Sequence, residues 1–202
     1  GGLAHAEGIS LDEGGTSFTL KIEGEEGVRC NTTLLGKHNI SNICLAAAVA
    51  YKIGLSPKEI ADGVNRLKAV EHRLEMVTNN HNIKIIDDSY NSNRDGARAA
   101  LEVLSSFEGR KIVLTPGLVE LGKEENLENF EFGREIAEVA DKLIVIGKHN
   151  AEMLIKGWYE GGRGNEDIMF AKSLEKGNAL LNGIMRAGDV VLFENDLPDT
   201  YS

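Results

Sequence analysis

The chain has 202 residues, 22 of them basic and 32 acidic, for a formal net charge of −10. That length allows one large or two small domains, and a 42% hydrophobic share can fill a buried core. The acidic balance repels nucleic acid and anionic membrane surfaces, so neither is an expected partner, although a local pocket can still admit an anionic substrate. No apolar run approaches the ~20 residues that span a bilayer. Residues Gly1 to Ala6 lack the basic and apolar segments of a secretory leader. Cys30 and Cys44 form neither a metal spacing nor a disulfide framework. Buried thiols in the reducing cytoplasm are the expectation, with no metal site.

Residues 16–22 alternate in the manner of a strand, and Gly24-Glu25-Glu26-Gly27 reads as a turn into a second strand over 28–35. An Ala-rich apolar run, 40–53, predicts a helix stopped by Gly54; its all-round apolarity predicts burial on every side. Ser56-Pro57-Lys58-Glu59 is a capping box with proline at the first helical position, predicting a second helix to about residue 67. Two strands and two helices in 70 residues are short of sheet, and look like the tail of something larger.

After Arg73 the pattern changes. Residues 74–78 and 83–87 flank Asn79-Asn80-His81-Asn82, a predicted hairpin turn. Strands are predicted at 83–87, 111–115, 142–146, 167–170 and 190–193. Helices are predicted at about 95–106, 124–140, 150–159 and 173–186. Short apolar strands alternating with amphipathic helices predict a mostly parallel sheet covered on both faces. The fold class is therefore α/β, with a boundary near 70–73 that separates residues 1–72 from a doubly wound domain at 73–202.

Three segments carry candidate chemistry. Ile85-Ile86-Asp87-Asp88-Ser89-Tyr90-Asn91-Ser92-Asn93 runs from a strand, through two carboxylates, to a helix. Ligands in open α/β sheets bind beyond the carboxyl ends of strands. Neighbouring strand residues face opposite ways, so one aspartate of the pair would meet a ligand, for instance a ribose diol. Capping of the next helix by an Asp or Asn explains the pattern equally well. Gly36-Lys37-His38-Asn39-Ile40-Ser41-Asn42 opens the apolar helix, with two amides three residues apart; on the pattern alone, N-capping by Asn39 with Asn42 bonded to backbone outweighs the reading of an adenine edge. Glu71-His72-Arg73 places an arginine at the junction, either for a nucleotide or for a surface pair with Glu71.

The order Gly-x-His-Asn-x-x-Asn, Glu-x-Arg, Asp-Asp-x-Tyr-Asn resembles the Mur ligases from about residue 16 to the end. Asp87 to Asn91 and Val119-Glu120-Leu121-Gly122 are most similar to the D-alanyl-D-alanine-adding MurF branch. The resemblance implies the rear of a central ATPase domain followed by a complete Rossmann-like carboxyl-terminal domain. By position it implies that Asn39 and Asn42 contact adenine, Arg73 the ribose or phosphates, and Asp88 the ribose. Tyr90, Asn91 and Asn93 would then face the incoming dipeptide or the reacting phosphate. The implied cofactors are ATP and Mg2+. The implied partners are UDP-MurNAc-peptide and D-Ala-D-Ala, and the location is cytoplasmic. The implied chemistry is carboxylate activation as an acyl phosphate, then attack by an amine.

Three departures bear on this. Gly-Lys occurs at Gly36-Lys37, Gly122-Lys123 and Gly147-Lys148, never followed by Ser or Thr, so the phosphate-binding loop motif is missing. That makes this chain an expected piece of a longer enzyme, inactive without its amino-terminal and phosphate-loop segments. Arg94 stands where a proline is usual, and Glu194-Asn195-Asp196 where many of these ligases have Lys-Gly-Ser. A cyanophycin- or folylpolyglutamate-synthase-like ligase is the alternative enzyme; a non-catalytic doubly wound module is the alternative of a different class.

Overall fold

The computed structural model describes residues 2–78, 82–90 and 93–194. Two compact units emerge: the chain up to Val70 with Leu74–Met76, and Glu71–Arg73 with the chain from Val77 onward.

The first unit is an antiparallel meander, β1 (Ala4–Asp12), β2 (Gly15–Ile22) and β3 (Val28–Thr32), with helices α1 (Lys37–Lys52) and α2 (Pro57–Val64). In β2, Phe18, Leu20 and Ile22 alternate inward and are buried, as period-two patterning demands. Strand β1 was not expected. Ala4 and Ala6 pack on the core, but the register shifts between Glu7 and Ser10, with Gly8 at φ 59°. This irregularity breaks the alternation that would have revealed the strand.

Helix α1 also departs from expectation. Ile40, Ile43, Cys44 and Ala47 are buried against Phe18, Leu20 and Cys30. Its opposite side is exposed, with Leu45 at 73%, Val49 at 61% and Ile53 at 75%. A meander and one short helix cover only half of a helix that is apolar all round. Burial raises the pKa of both Cys30 and Cys44, which keeps these free thiols protonated and unreactive.

The capping box of α2 forms as read: Glu59 N donates to Ser56 Oγ at 3.4 Å, and Ser56 N donates to Glu59 Oε2 at 2.9 Å. The helix stops at Val64, short of residue 67, and Asn65 at its end accepts from Asn31 N on β3 at 2.8 Å. Linking β3 to the helix end competes with another helical turn.

The second unit is a six-stranded sheet in the order β4-β5-β9-β6-β7-β8, where β4 is Glu75–Thr78, β5 Lys84–Asp88, β6 Lys111–Thr115, β7 Lys142–Ile146, β8 Ile168–Ala171 and β9 Val190–Glu194. β5, β9, β6, β7 and β8 run parallel. The central strands are apolar on both faces because helices cover both. Helix α6 (Leu174–Ile184) lies over Ile112, Leu114, Ile144, Ile146 and Val191. On the other face α3 (Arg94–Ser105) packs on β5 and β9, and α5 (Ala151–Glu160) on β7. Helix α4 (Glu125–Val139) crosses α5 through two glycines. A Cβ on Gly133 would collide with the Leu154 carbonyl oxygen, and one on Gly157 with that of Phe130. The doubly wound expectation is met. Among the described residues no helix is long and apolar enough to cross a membrane.

Candidate functional site at the carboxyl edge of the parallel sheet

β5 is hydrogen-bonded to β9, with Asp88 opposite Glu194, so the Asp87-Asp88 pair ends the strand at the sheet's carboxyl edge. The two carboxylates face opposite sides of the sheet. Asp87 shares the α6 side with Ile85 and Phe193, in a cavity of about 270 Å3 also lined by Leu114, Leu174 and Asn178. It is occupied structurally. Ser89 donates to Asp87 Oδ1 from its N at 3.1 Å and its Oγ at 2.6 Å, and His72 Nδ1 lies 2.8 Å from Oδ2. Asp88 shares the side of Ile86 and is half-buried.

The junction segment 71–73 is latched to this edge. Tyr90 N donates to the His72 carbonyl at 3.1 Å, and the Arg73 guanidinium sits 4.4 Å from the Tyr90 ring centroid. His72 and Leu74, at φ 61° and 49°, flank Arg73 in the left-handed region, which non-glycine residues enter at a cost of roughly 1 kcal/mol each. The alternative pairing of Arg73 with Glu71 is absent from the ion pairs of the described residues. Arg73 thus presents a guanidinium stacked on an exposed aromatic ring, a geometry suited to an anion.

Asn93 is the N-cap of α3, accepting from Gly96 N at 2.9 Å. The capping alternative is therefore realised by Asn93, not by either aspartate. Asn91 lies outside the described residues. Arg94, in place of the usual proline, pairs with buried Glu128 of α4. Arg98 reaches Glu135 at 2.9 Å, so a charged seam joins α3 to α4. In the first unit, Asn39 Nδ2 donates to the Leu35 carbonyl at 2.8 Å, while Asn42 is exposed one turn along α1. The cap of α1 is Gly36, at φ 87°, rather than Asn39.

Sequence reasoning missed what holds the loop after β6. Asn129, wholly buried in α4, accepts from Leu118 N and donates to Leu118 O, both at 2.8 Å. Asn150 donates to the same carbonyl at 2.9 Å. These amides present Glu120, exposed and at φ 63°, at the carboxyl edge of β6. The available signal was an asparagine in the Asn129, Phe132, Ile136 stripe, where an apolar residue is expected.

Residues 72–194 match the family described as Mur ligase, glutamate ligase domain. The chain belongs to the Mur ligase family. It is 32% identical over 189 residues to UDP-N-acetylmuramoylalanine–D-glutamate ligase of Pelotomaculum thermopropionicum, covering 92% of this chain and 39% of that one. It is 33% identical over 147 residues to UDP-N-acetylmuramoyl-tripeptide–D-alanyl-D-alanine ligase of Bacillus subtilis, covering 71% of this chain and 31% of that one. The MurF ligase of Thermotoga maritima in complex with ADP shares the fold, at TM-score 0.79 and 22% identity over 97% of this chain and 43% of that one. The chain thus spans less than half the length of these Mur ligases.

Proposed function

We propose that this chain is the rear portion of an ATP-dependent carboxylate–amine ligase of peptidoglycan precursor synthesis, which adds D-Ala-D-Ala to a UDP-MurNAc-tripeptide. The observation that carries the proposal is the carboxyl edge of β5, where Asp88 follows a structurally committed Asp87 beside the Arg73–Tyr90 stack. The Thermotoga maritima MurF ligase is described in complex with ADP, which supports a nucleotide as the ligand of such a protein. In this reading Asp88 accepts hydrogen bonds from the ribose hydroxyls and Arg73 meets phosphate or ribose oxygens. Asn42 reads adenine, with Asn39 shaping the start of α1. Tyr90 and Asn93 face the second substrate, together with Asn91, which lies outside the described residues, while Asn93 also fixes the start of α3. ATP converts the substrate carboxylate to an acyl phosphate, and the amine of the dipeptide displaces phosphate to form the amide. Magnesium would neutralise phosphate charge. Among the described residues no group of three or more His, Cys, Asp or Glu side chains could hold a metal ion.

In this reading γ-phosphate positioning falls to a phosphate loop in another segment of the polypeptide, and the isolated chain is expected not to turn over. The D-glutamate ligase matched over more of this chain gives one rival amine, so the assay must offer both. The enzyme carrying these residues should form phosphate with D-Ala-D-Ala and UDP-MurNAc-tripeptide, and not with D-glutamate and UDP-MurNAc-alanine; the reverse preference would overturn the substrate assignment. Asp88→Asn should weaken ATP about tenfold to a hundredfold, since hydrogen bonds to a charged group contribute roughly 1.5–3 kcal/mol. Asp87→Asn should leave ATP affinity nearly unchanged and lower thermal stability, because its partners are His72 and Ser89. Unchanged affinity in Asp88→Asn would remove the ribose role.

A further inference from the structure

Among the described residues, the non-glycine residues with positive φ are His72 and Leu74 at the junction, Asn82 in a turn, and Glu120. Asparagine enters that region with little penalty; a glutamate does not. Glu120 is held there from both sides. On one side Leu118 exchanges two hydrogen bonds with buried Asn129 and accepts a third from Asn150. Gly117 is what lets Asn129 approach, since a Cβ at that position would collide with the Asn129 side-chain oxygen. On the other side Leu121 N donates to Glu125 Oε2 at 3.4 Å, and His149 Nε2 lies 2.7 Å from Glu125 Oε1. The Glu120 carboxylate presented by this frame is exposed, and it forms no hydrogen bond or ion pair with any described residue. Strain that surrounding side chains enforce around a bare charge points to a ligand for that charge.

Asp88 is level with Glu194 where β5 pairs with β9, and Leu114 with Phe193 where β6 pairs with β9, so β5 and β6 end at the same height. Only β9 separates them, which puts the two strand ends about 10 Å apart. Glu120 thus follows β6 on the same carboxyl edge that carries Asp88. We propose that Glu120 contacts the ammonium of the incoming amine, and that it selects an amine whose ammonium-bearing carbon carries no carboxylate. In D-Ala-D-Ala that carbon bears a methyl group and the neutral peptide carbonyl, and the carboxylate lies at the far end. In D-glutamate the same carbon bears the α-carboxylate, and a second carboxylate follows. A fixed negative charge attracts the first ammonium without opposition and repels the carboxylate beside the second. Glu120 binds and orients the amine and makes no covalent bond. The assignment deepens the D-Ala-D-Ala ligase reading and rests on it.

Steady-state kinetics of the enzyme carrying these residues test it. Glu120→Gln keeps the size of the side chain and removes its charge. KM for D-Ala-D-Ala should rise about tenfold, the loss of one charge-assisted hydrogen bond at a solvated edge, while KM for ATP stays unchanged. Glu120→Gly removes the carboxylate and also relieves the backbone. Its KM for D-Ala-D-Ala should rise as in Glu120→Gln, and its melting temperature should hold or increase, which separates the charge from the shape of the loop. An unchanged KM for D-Ala-D-Ala in Glu120→Gln would overturn the assignment and leave the ligase reading standing. So would KM values for ATP and D-Ala-D-Ala that rise together, since the loop would then act on the whole site. A wild-type enzyme that joins D-glutamate in preference, or joins neither amine, would remove the D-Ala-D-Ala reading and this assignment with it.

Discussion

Helices α1 and α4 are nearly equal in length, and each is the longest of its unit, yet they solve burial differently. α4 turns Phe132, Ile136 and Ala137 inward, brings Gly133 against α5, and keeps its carboxylates in ion pairs with Arg94, Arg98 and Arg134. Every large apolar group on it except Leu127 is covered or half-covered. α1 covers one side and leaves the other apolar and bare. The second unit closes its own core, since a parallel sheet with helices on both faces leaves no apolar face over. The first unit does not, because a three-stranded meander offers one face and α1 has two to bury. Stability of the second unit should therefore be intrinsic, while that of the first should depend on what else the polypeptide supplies.

The sharpest way to break this comparison is to strike the closed side. Gly157→Val places side-chain atoms where the Phe130 carbonyl and the Arg134 amide already sit. The helices must separate, opening a contact that also seals Trp158 and Leu154, both fully buried. A loss of roughly 3 kcal/mol is expected from such overpacking. Denaturation followed by Trp158 fluorescence, which reports on this unit alone, should show a lower midpoint. The amide exchange of α1 and β2 should be unaffected. If exchange in both units accelerates equally, they unfold together and the distinction between a closed and an open unit fails.

A smaller effect is expected at the loop after β6. Asn129→Leu fills similar volume but removes the bonds to Leu118 N and O and to Glu125 O. Asn150 still serves the Leu118 carbonyl, so the Leu118 N–H is the group left unsatisfied. The cost should be about 2 kcal/mol. The same variant should loosen Glu120, whose φ of 63° is held by this clamp. Exchange of the Leu118 amide measures it, and an amide as protected as in the wild type would show that the clamp is not what holds the loop.

Much of this was legible beforehand, for reasons that differ along the chain. The parallel strands are short, apolar and bounded by turn residues, so their positions follow from period and punctuation. The carboxyl edge at Asp87-Asp88 follows from the strand-to-helix order. Pairwise commitments were not legible: that Asp87 would bind Ser89 and stand beside His72, or that Asn93 would take the cap, depends on atoms meeting across a fold. Nor did composition distinguish an α1 buried on all sides from one half covered, because apolarity states the need for a partner without stating where the partner is. The bulged β1 escaped because its phase change at Gly8 erased the alternation.

The smallest effect belongs to the open unit. Ser56→Ala removes the hydroxyl that accepts from Glu59 N and donates to Glu59 Oε2, and leaves the bond from Ser56 N to that carboxylate. Capping losses of this size should lower the melting of the first unit by roughly 2 °C at neutral pH, with the second unit unchanged. The pH dependence identifies the cause. The Ser56 side-chain bond, and then its backbone bond, hold the Glu59 carboxyl below the usual glutamate range. A carboxyl with a depressed folded pKa contributes stability above its unfolded value and loses it as pH falls through the folded value. The difference between wild type and Ser56→Ala should thus be full at neutral pH and shrink at acid pH, below the usual glutamate range. Glu59→Gln keeps an acceptor and removes the charge, so its difference from wild type should narrow over the same interval. A gap in Ser56→Ala that is constant from neutral pH to pH values where glutamates are protonated would mean the hydroxyl acts on the helix amides alone. The charge on Glu59 would then play no part in closing the first turn of α2.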